Sequence, residues 1–174
     1  MENPFLTVPS NKYKKSFENY VVAYKSSNDS YYFNKYKKGM DNFSGYLDDL
    51  DNYSKGIDLP DGWVATSTFW LIDNNEVVGV VRIRNQDVES DGHIGYDISP
   101  NNRNKGYGYQ ILKLALAEAE KMCIKEVMVT CYVDNEFSKK IIEKNGGKLL
   151  GIIFNEEENV YLYRYCLSTS EAKQ

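Results

Sequence analysis

A chain of 174 residues with 42% apolar and 26% charged side chains is long enough to bury one full core and too evenly mixed for a disordered or membrane-embedded protein. Its formal charge of -4 excludes nucleic-acid binding as the main task, because phosphate backbones are held by clustered Lys and Arg. The cysteines Cys123, Cys131 and Cys166 show neither metal-ligand nor redox spacing, so they read as small apolar residues in a reducing compartment and imply no disulfide.

In chain order, Phe5 to Val8 is predicted as a short strand, ended by Pro9-Ser10. Tyr13, Phe17, Tyr20, Val21 and Tyr24 recur at helical spacing and read as a packing face. Ser26 to Ser30 interrupts that helix, and a second helix is expected from about Asp41, with Tyr46, Leu47 and Leu50 inward. Lys12 to Lys15 and Lys35 to Lys38 read as exposed helix faces. Asp48, Asp49, Asp51, Asp58 and Asp61 read as a solvated helix end and loop, with attraction of a cationic substrate as the alternative.

Ala65 to Ile72 and Val77 to Ile83 are β-prone runs joined by Asp73-Asn74-Asn75-Glu76, a hairpin whose Asn residues tolerate left-handed backbone. After the polar segment Asn85 to Asp91, His93 to Ile98 forms a strand. A helix from about Tyr109 to Met122 carries Ile111, Ala115, Ala119 and Met122 on one stripe, and Val127 to Tyr132 is expected to return parallel to the previous strand. A helix from Asn135 to Asn145 ends at Gly146-Gly147, a hairpin of Leu149 to Phe154 with Val160 to Leu167 closes the sheet, and Ser168 to Gln174 is a tail. The pattern is one α/β domain over residues 1–174: a mixed, mostly antiparallel sheet with one parallel strand pair, flanked by helices. With no bilayer-length apolar run and no basic, apolar leader pattern, a cytoplasmic protein without a membrane partner is expected.

The most informative stretch joins the strand at Ile98 to the helix at Tyr109 through Arg103-Asn104-Lys105-Gly106-Tyr107-Gly108. Two glycines one residue apart let backbone N–H groups converge, the following helix adds the positive end of its dipole, and Arg103 offers a phosphate clamp. This pattern resembles the cofactor loop of the GNAT superfamily of acetyl-CoA-dependent N-acetyltransferases, in which Arg or Gln, two free positions, Gly, one free position and Gly or Ala follow in order. The likeness extends through Val127 to Tyr132 into Asp134 to Gly147, which resembles the family's second conserved block. It is clear from Thr66 to Leu167 and holds only in outline before Leu59.

That resemblance implies a GNAT-like fold, acetyl-CoA as acyl donor and no metal. The pyrophosphate would lie on Arg103, Asn104, Lys105, Gly106, Tyr107 and Gly108. The main chain of Tyr96 to Ser99 would pair with the pantetheine arm, with an N–H near Ile98 facing the thioester oxygen. Asn135 and Ser138 would flank the pantetheine or its thiol, and Asn135 reads equally as a plain N-cap. The implied acceptor is the primary amine of a small molecule or peptide, with no nucleic acid, and a homodimer is left open.

His93, the only histidine, stands about where many family members carry a glutamate and is the candidate base; a structural, hydrogen-bonded histidine is the alternative. The family's usual acid, a tyrosine, is replaced by Ile142, which leaves Tyr132, Tyr163 and Tyr165 as substitutes or solvent as the proton source. Arg82 and Arg84 alternate onto one strand face, either as exposed charges or as ligands of a substrate carboxylate. Cys131 reads as packing, which favours direct transfer over an acetyl-cysteine. The competing reading is a noncatalytic acyl-CoA-binding domain of the same fold.

Overall fold

The computed structural model describes residues 2–170 in the order β1 (Phe5–Thr7), α1 (Lys14–Ser26), α2 (Ser30–Asp41), α3 (Phe43–Ser54), β2 (Thr66–Asp73), β3 (Glu76–Val88), β4 (Gly92–Ile98), α4 (Tyr107–Lys121), β5 (Glu126–Tyr132), α5 (Glu136–Lys144), β6 (Lys148–Asn155) and β7 (Val160–Ser168). Short 3-10 turns cover Asn11–Tyr13 and Pro100–Asn102. The expected helices and hairpins form where the sequence puts them, with α2 added. Asn28 at φ 61° breaks α1, and Asp29 then caps α2 by accepting the Tyr32 N–H at 3.2 Å. In the β2–β3 hairpin Asn74 and Asn75 take φ of 48° and 64°, the left-handed pair of a two-residue turn.

The strands form two sheets, ordered β1-β2-β3-β4 and β5-β7-β6, and every backbone pairing in them is antiparallel. The expected parallel pair is therefore corrected: β4 and β5 are neighbours with no backbone ladder between them. They meet at one end, where the Gly92 main chain comes so close to Met128 that an added Cβ would sit 2.3 Å from the Met128 carbonyl oxygen. Side chains complete that junction. His93 Nδ1 accepts the Met128 N–H at 2.9 Å, and Thr130 Oγ1 donates to the Ser90 carbonyl at 2.8 Å. The register break between Ile83 and Val88 and the left-handed Gly92 (φ 63°) bend the β3–β4 corner there, which re-aims β4.

Two cores follow from the two sheets. Ile111, Leu112, Ala115, Leu116 and Ala119 of α4 pack with Leu71, Val81 and Ile83 of the first sheet and Val127, Val129 and Tyr165 of the second. The tyrosine stripe of α1 is buried as expected, in a separate aromatic core where Phe17 stacks between Trp70 at 4.9 Å and Tyr46 at 5.2 Å. Of the expected tail, Ser168 belongs to β7 and Thr169 is buried, donating its hydroxyl to Ile124 at 2.9 Å; residues 171–174 lie outside the described residues. Among the described residues no helix is long and apolar enough to cross a membrane.

Candidate active site

β4 is held from behind by a buried carboxylate. Asp97 Oδ2 accepts the hydroxyls of Tyr20 and Tyr24 at 2.5 and 2.7 Å, and Oδ1 accepts the Tyr36 hydroxyl at 2.6 Å and Arg82 Nη1 at 3.0 Å. Arg82 is thus buried and paired, which corrects its reading as an exposed charge. The register frees the strand's other edge. Gly79 and Ile98 form a non-hydrogen-bonded pair, with the Ser99 N–H donating to the Val78 carbonyl at 3.0 Å, so the N–H groups of Ile98 and Tyr96 point away from β3.

The chain then turns through Pro100 to Asn102 into the glycine loop. Asn104 and Gly106 adopt φ of 62° and 84°, and Gly106 immediately precedes α4. The first N–H groups of α4 have no partner within the helix. Tyr107 fastens the helix start to the β2–β3 hairpin by donating its hydroxyl to Asp73. A cavity of about 730 Å³ opens along this edge, a volume suited to a cofactor-sized molecule. Of the expected cofactor residues, Ile98, Arg103, Asn104, Gly106, Tyr107, Gly108, Asn135 and Ser138 line it, whereas Lys105 is exposed and outside the lining. Lys140 and Lys144 of α5 also line it, and their charges were not picked out in the sequence because helix-surface lysines carry no motif.

A second cavity of about 520 Å³ lies against β4, β5 and α2, and Tyr32, Tyr96, Asn135 and Ser138 line both. The N-cap reading of Asn135 holds, since Oδ1 caps α5 by accepting the Ser138 N–H at 3.1 Å, and the residue also lines both cavities. Tyr96 was overlooked as a side chain. Its hydroxyl is buried without a hydrogen-bond partner, and burial raises its pKa well above the usual phenol value while the nearby Ser138 hydroxyl pulls the other way. Of the expected acid substitutes, Tyr132 lines the second cavity but donates to Glu158 at 2.8 Å, and Tyr165 donates to Glu143 at 3.0 Å. Ile142 is fully buried. Cys131 lines the second cavity, and burial pushes its thiol up to about 11, which leaves little nucleophilic thiolate at neutral pH.

His93 lines neither cavity. Its Nδ1 is occupied by the Met128 N–H, which requires a ring unprotonated at that nitrogen, and burial lowers its pKa. Since the unfolded chain binds the proton more readily, this contact contributes stability above the ordinary histidine value of about 6.5, and that contribution is lost as pH falls from there to the lowered folded pKa. We expect His93→Ala to lower the melting temperature at pH 8 and to flatten the loss of stability as pH falls below about 6.5, with turnover at pH 8 little changed. Unfolding curves across pH, run beside rate assays, check this; an unchanged stability profile with a collapsed rate would return His93 to the base role.

The comparisons with known proteins agree with this geometry. A family model described as an acetyltransferase (GNAT) domain matches residues 22–148. No sequence among the curated proteins matches the chain. Among solved structures, RimL, a ribosomal L7/L12 alpha-N-protein acetyltransferase in complex with coenzyme A, is 14% identical with a TM-score of 0.71, covering 97% of this chain and 95% of that one. The microcin C7 self-immunity acetyltransferase MccE, solved with acetyl-CoA and AMP, is 17% identical with a TM-score of 0.66, covering 97% and 93%. A chimera of the spermidine N-acetyltransferase SpeG from Vibrio cholerae and hSSAT is 14% identical with a TM-score of 0.61, covering 99% of each chain. At such identities the structures attest a shared fold, while the family model takes in the glycine loop and most of the chain: the protein belongs to the GNAT acetyltransferase family.

Proposed function

We propose that the protein transfers an acetyl group from acetyl-CoA to the primary amine of a small molecule or peptide, directly between two bound substrates. The observation that carries this reading is the meeting of two cavities at Tyr96, beside the outward N–H of Ile98. The loop from Arg103 to Gly108 and the start of α4 would take the pyrophosphate, with Lys140 and Lys144 adding positive charge. The N–H of Ile98 would stabilise negative charge growing on the thioester oxygen. The acceptor would enter through the second cavity.

An alkyl amine with a pKa of roughly 10 must lose a proton before attack. With His93 outside the cavity linings, that proton passes to water in this scheme. As the C–S bond breaks, the Tyr96 hydroxyl donates a hydrogen bond to the departing sulfur. A phenol raised by burial is a weaker acid than a thiol, so Tyr96 stabilises the thiolate while water delivers the proton that completes free coenzyme A. Tyr96→Phe is expected to lower kcat about tenfold to a hundredfold with little change in acetyl-CoA affinity, because the interaction exists only once charge reaches sulfur. The reading itself is tested by following free thiol during incubation with acetyl-CoA and a panel of amines. Amine-dependent release with intersecting initial-rate lines supports it; acetyl-CoA binding without any release would mark a noncatalytic acyl-CoA-binding domain instead.

A further inference from the structure

The second cavity holds three cationic side chains, Lys35, Arg82 and Arg84, of which only Arg82 is paired directly with a carboxylate. Arg82 spends Nη1 on Asp97 and Tyr36. Its Nε is buried without a hydrogen-bond partner, although the side chain is only 10% exposed. Its other edge is turned toward Gly95, the residue opposite it on β4: a Cβ on Gly95 would lie 3.7 Å from Arg82 Nη2, 3.8 Å from Arg82 Nε and 3.8 Å from Arg84 Nη1. Two guanidinium groups therefore flank Gly95, a position on β4 that carries no side chain of its own. Arg84 donates only to the Asp91 main-chain carbonyl, at 3.3 Å. Lys35 of α2 lines the same cavity, and among the described residues its ammonium has no carboxylate partner, resting 5.6 Å over the Tyr31 ring. Burial and then the Arg82 charge lower its pKa to about 8, with the Asp97 carboxylate pulling the other way.

The acidic groups that line the cavity, Asp29, Asp91 and Glu158, make no direct ion pair with Arg84 or Lys35 among the described residues. Asp29 caps α2 and lies 4.0 Å from Arg103, and Glu158 takes the Tyr132 hydroxyl. Asp91 is exposed, and its carboxylate makes no ion pair with Arg84 within 4.0 Å among the described residues.

We infer that the acetyl acceptor is an aminocarboxylate, whose carboxylate docks over Gly95 against the Nε and Nη2 edge of Arg82, with Arg84 and Lys35 closing around it. The Nε–Nη edge of a guanidinium presents two parallel donors, which matches the two oxygens of a carboxylate. Gly95 precedes Tyr96, so an anion anchored there holds the amine end of the same molecule beside the junction of the two cavities. This inference rests on the acetyltransferase reading and extends it to the class of substrate.

The test pairs each aminocarboxylate with its own carboxamide: glycine with glycinamide, 4-aminobutanoate with 4-aminobutanamide and 6-aminohexanoate with 6-aminohexanamide, compared per unprotonated amine. At the best chain length kcat/KM should favour the carboxylate by at least about tenfold, as expected for a charge-assisted pair. That preference should fall close to one in Arg84→Gln, in Lys35→Met and in Gly95→Ala. Gly95→Ala is the informative variant for folding, since its methyl makes ordinary contacts only and fills the carboxylate's seat. Thiol release with equal rates on acids and amides would leave the acetyltransferase reading standing and overturn this inference. A readout independent of turnover is the melting-temperature rise produced by 4-acetamidobutanoate against 4-acetamidobutanamide. A rise for the acid alone, absent in Gly95→Ala and Arg84→Gln, supports the site even without catalysis, and equal effects of both compounds overturn it.

Discussion

Replacing Asp97 by alanine is expected to cost about 3–5 kcal/mol of folding stability, enough to unfold much of the protein at 37 °C. The carboxylate neutralises a buried guanidinium and is the acceptor for three buried phenols from α1 and α2. Its removal leaves Arg82 charged and unpaired in a low-dielectric setting, and the hydroxyls of Tyr20, Tyr24 and Tyr36 without their common acceptor. The loss should exceed that of Tyr24→Phe, which deletes one donor and leaves the ion pair intact. Denaturant titrations of the two variants check the order. A cost below about 1 kcal/mol for Asp97→Ala would show that the network is not what ties the helical layer to β4.

Gly106→Val is expected to abolish stabilisation by acetyl-CoA while the protein remains folded. At a hundredfold excess over Kd the parent should gain about 2.7 kcal/mol, a rise of several degrees in Tm for a domain of this size. Gly106 sits at φ 84°, where a β-branched side chain is strongly strained, so the loop must rearrange and its N–H groups diverge. No heavy atom lies within 4 Å of an added Cβ, so the substitution acts through the backbone and leaves the packing of α4 alone. Thermal scans with and without acetyl-CoA decide it. A variant that keeps the full shift would mean that the pyrophosphate is held elsewhere.

The glycine-loop cavity of the candidate site was legible in the sequence because its residues are local in the chain. Gly106, Gly108 and the start of α4 are neighbours along the chain, and the left-handed backbone at Gly106 favours glycine where glycine stands. The second cavity was not, because it is assembled from α2, β3, β4 and β5, and nothing in the spacing of Lys35, Arg82 and Gly95 announces that they meet. Tyr96 shows the same limit: one tyrosine among fifteen is uninformative until its hydroxyl is found buried and unpartnered. The parallel pair failed for a different reason. A strand, helix and strand in succession satisfy the right-handed crossover rule whether or not the two strands bond, so the pattern cannot tell a ladder from a gap.

The gap also shapes how the molecule comes apart. One sheet draws its strands from residues 5–98 and the other from residues 126–168, and no strand is exchanged between them. The two sheets are joined through α4, which packs against both in one core, and through the close approach of the Gly92 main chain to Met128. A long molecule lying in the opening touches both halves at once and makes their separation cost its own affinity. Substrate would then act as a clasp, adding its binding free energy to the packing that already joins the two sheets for as long as it stays bound.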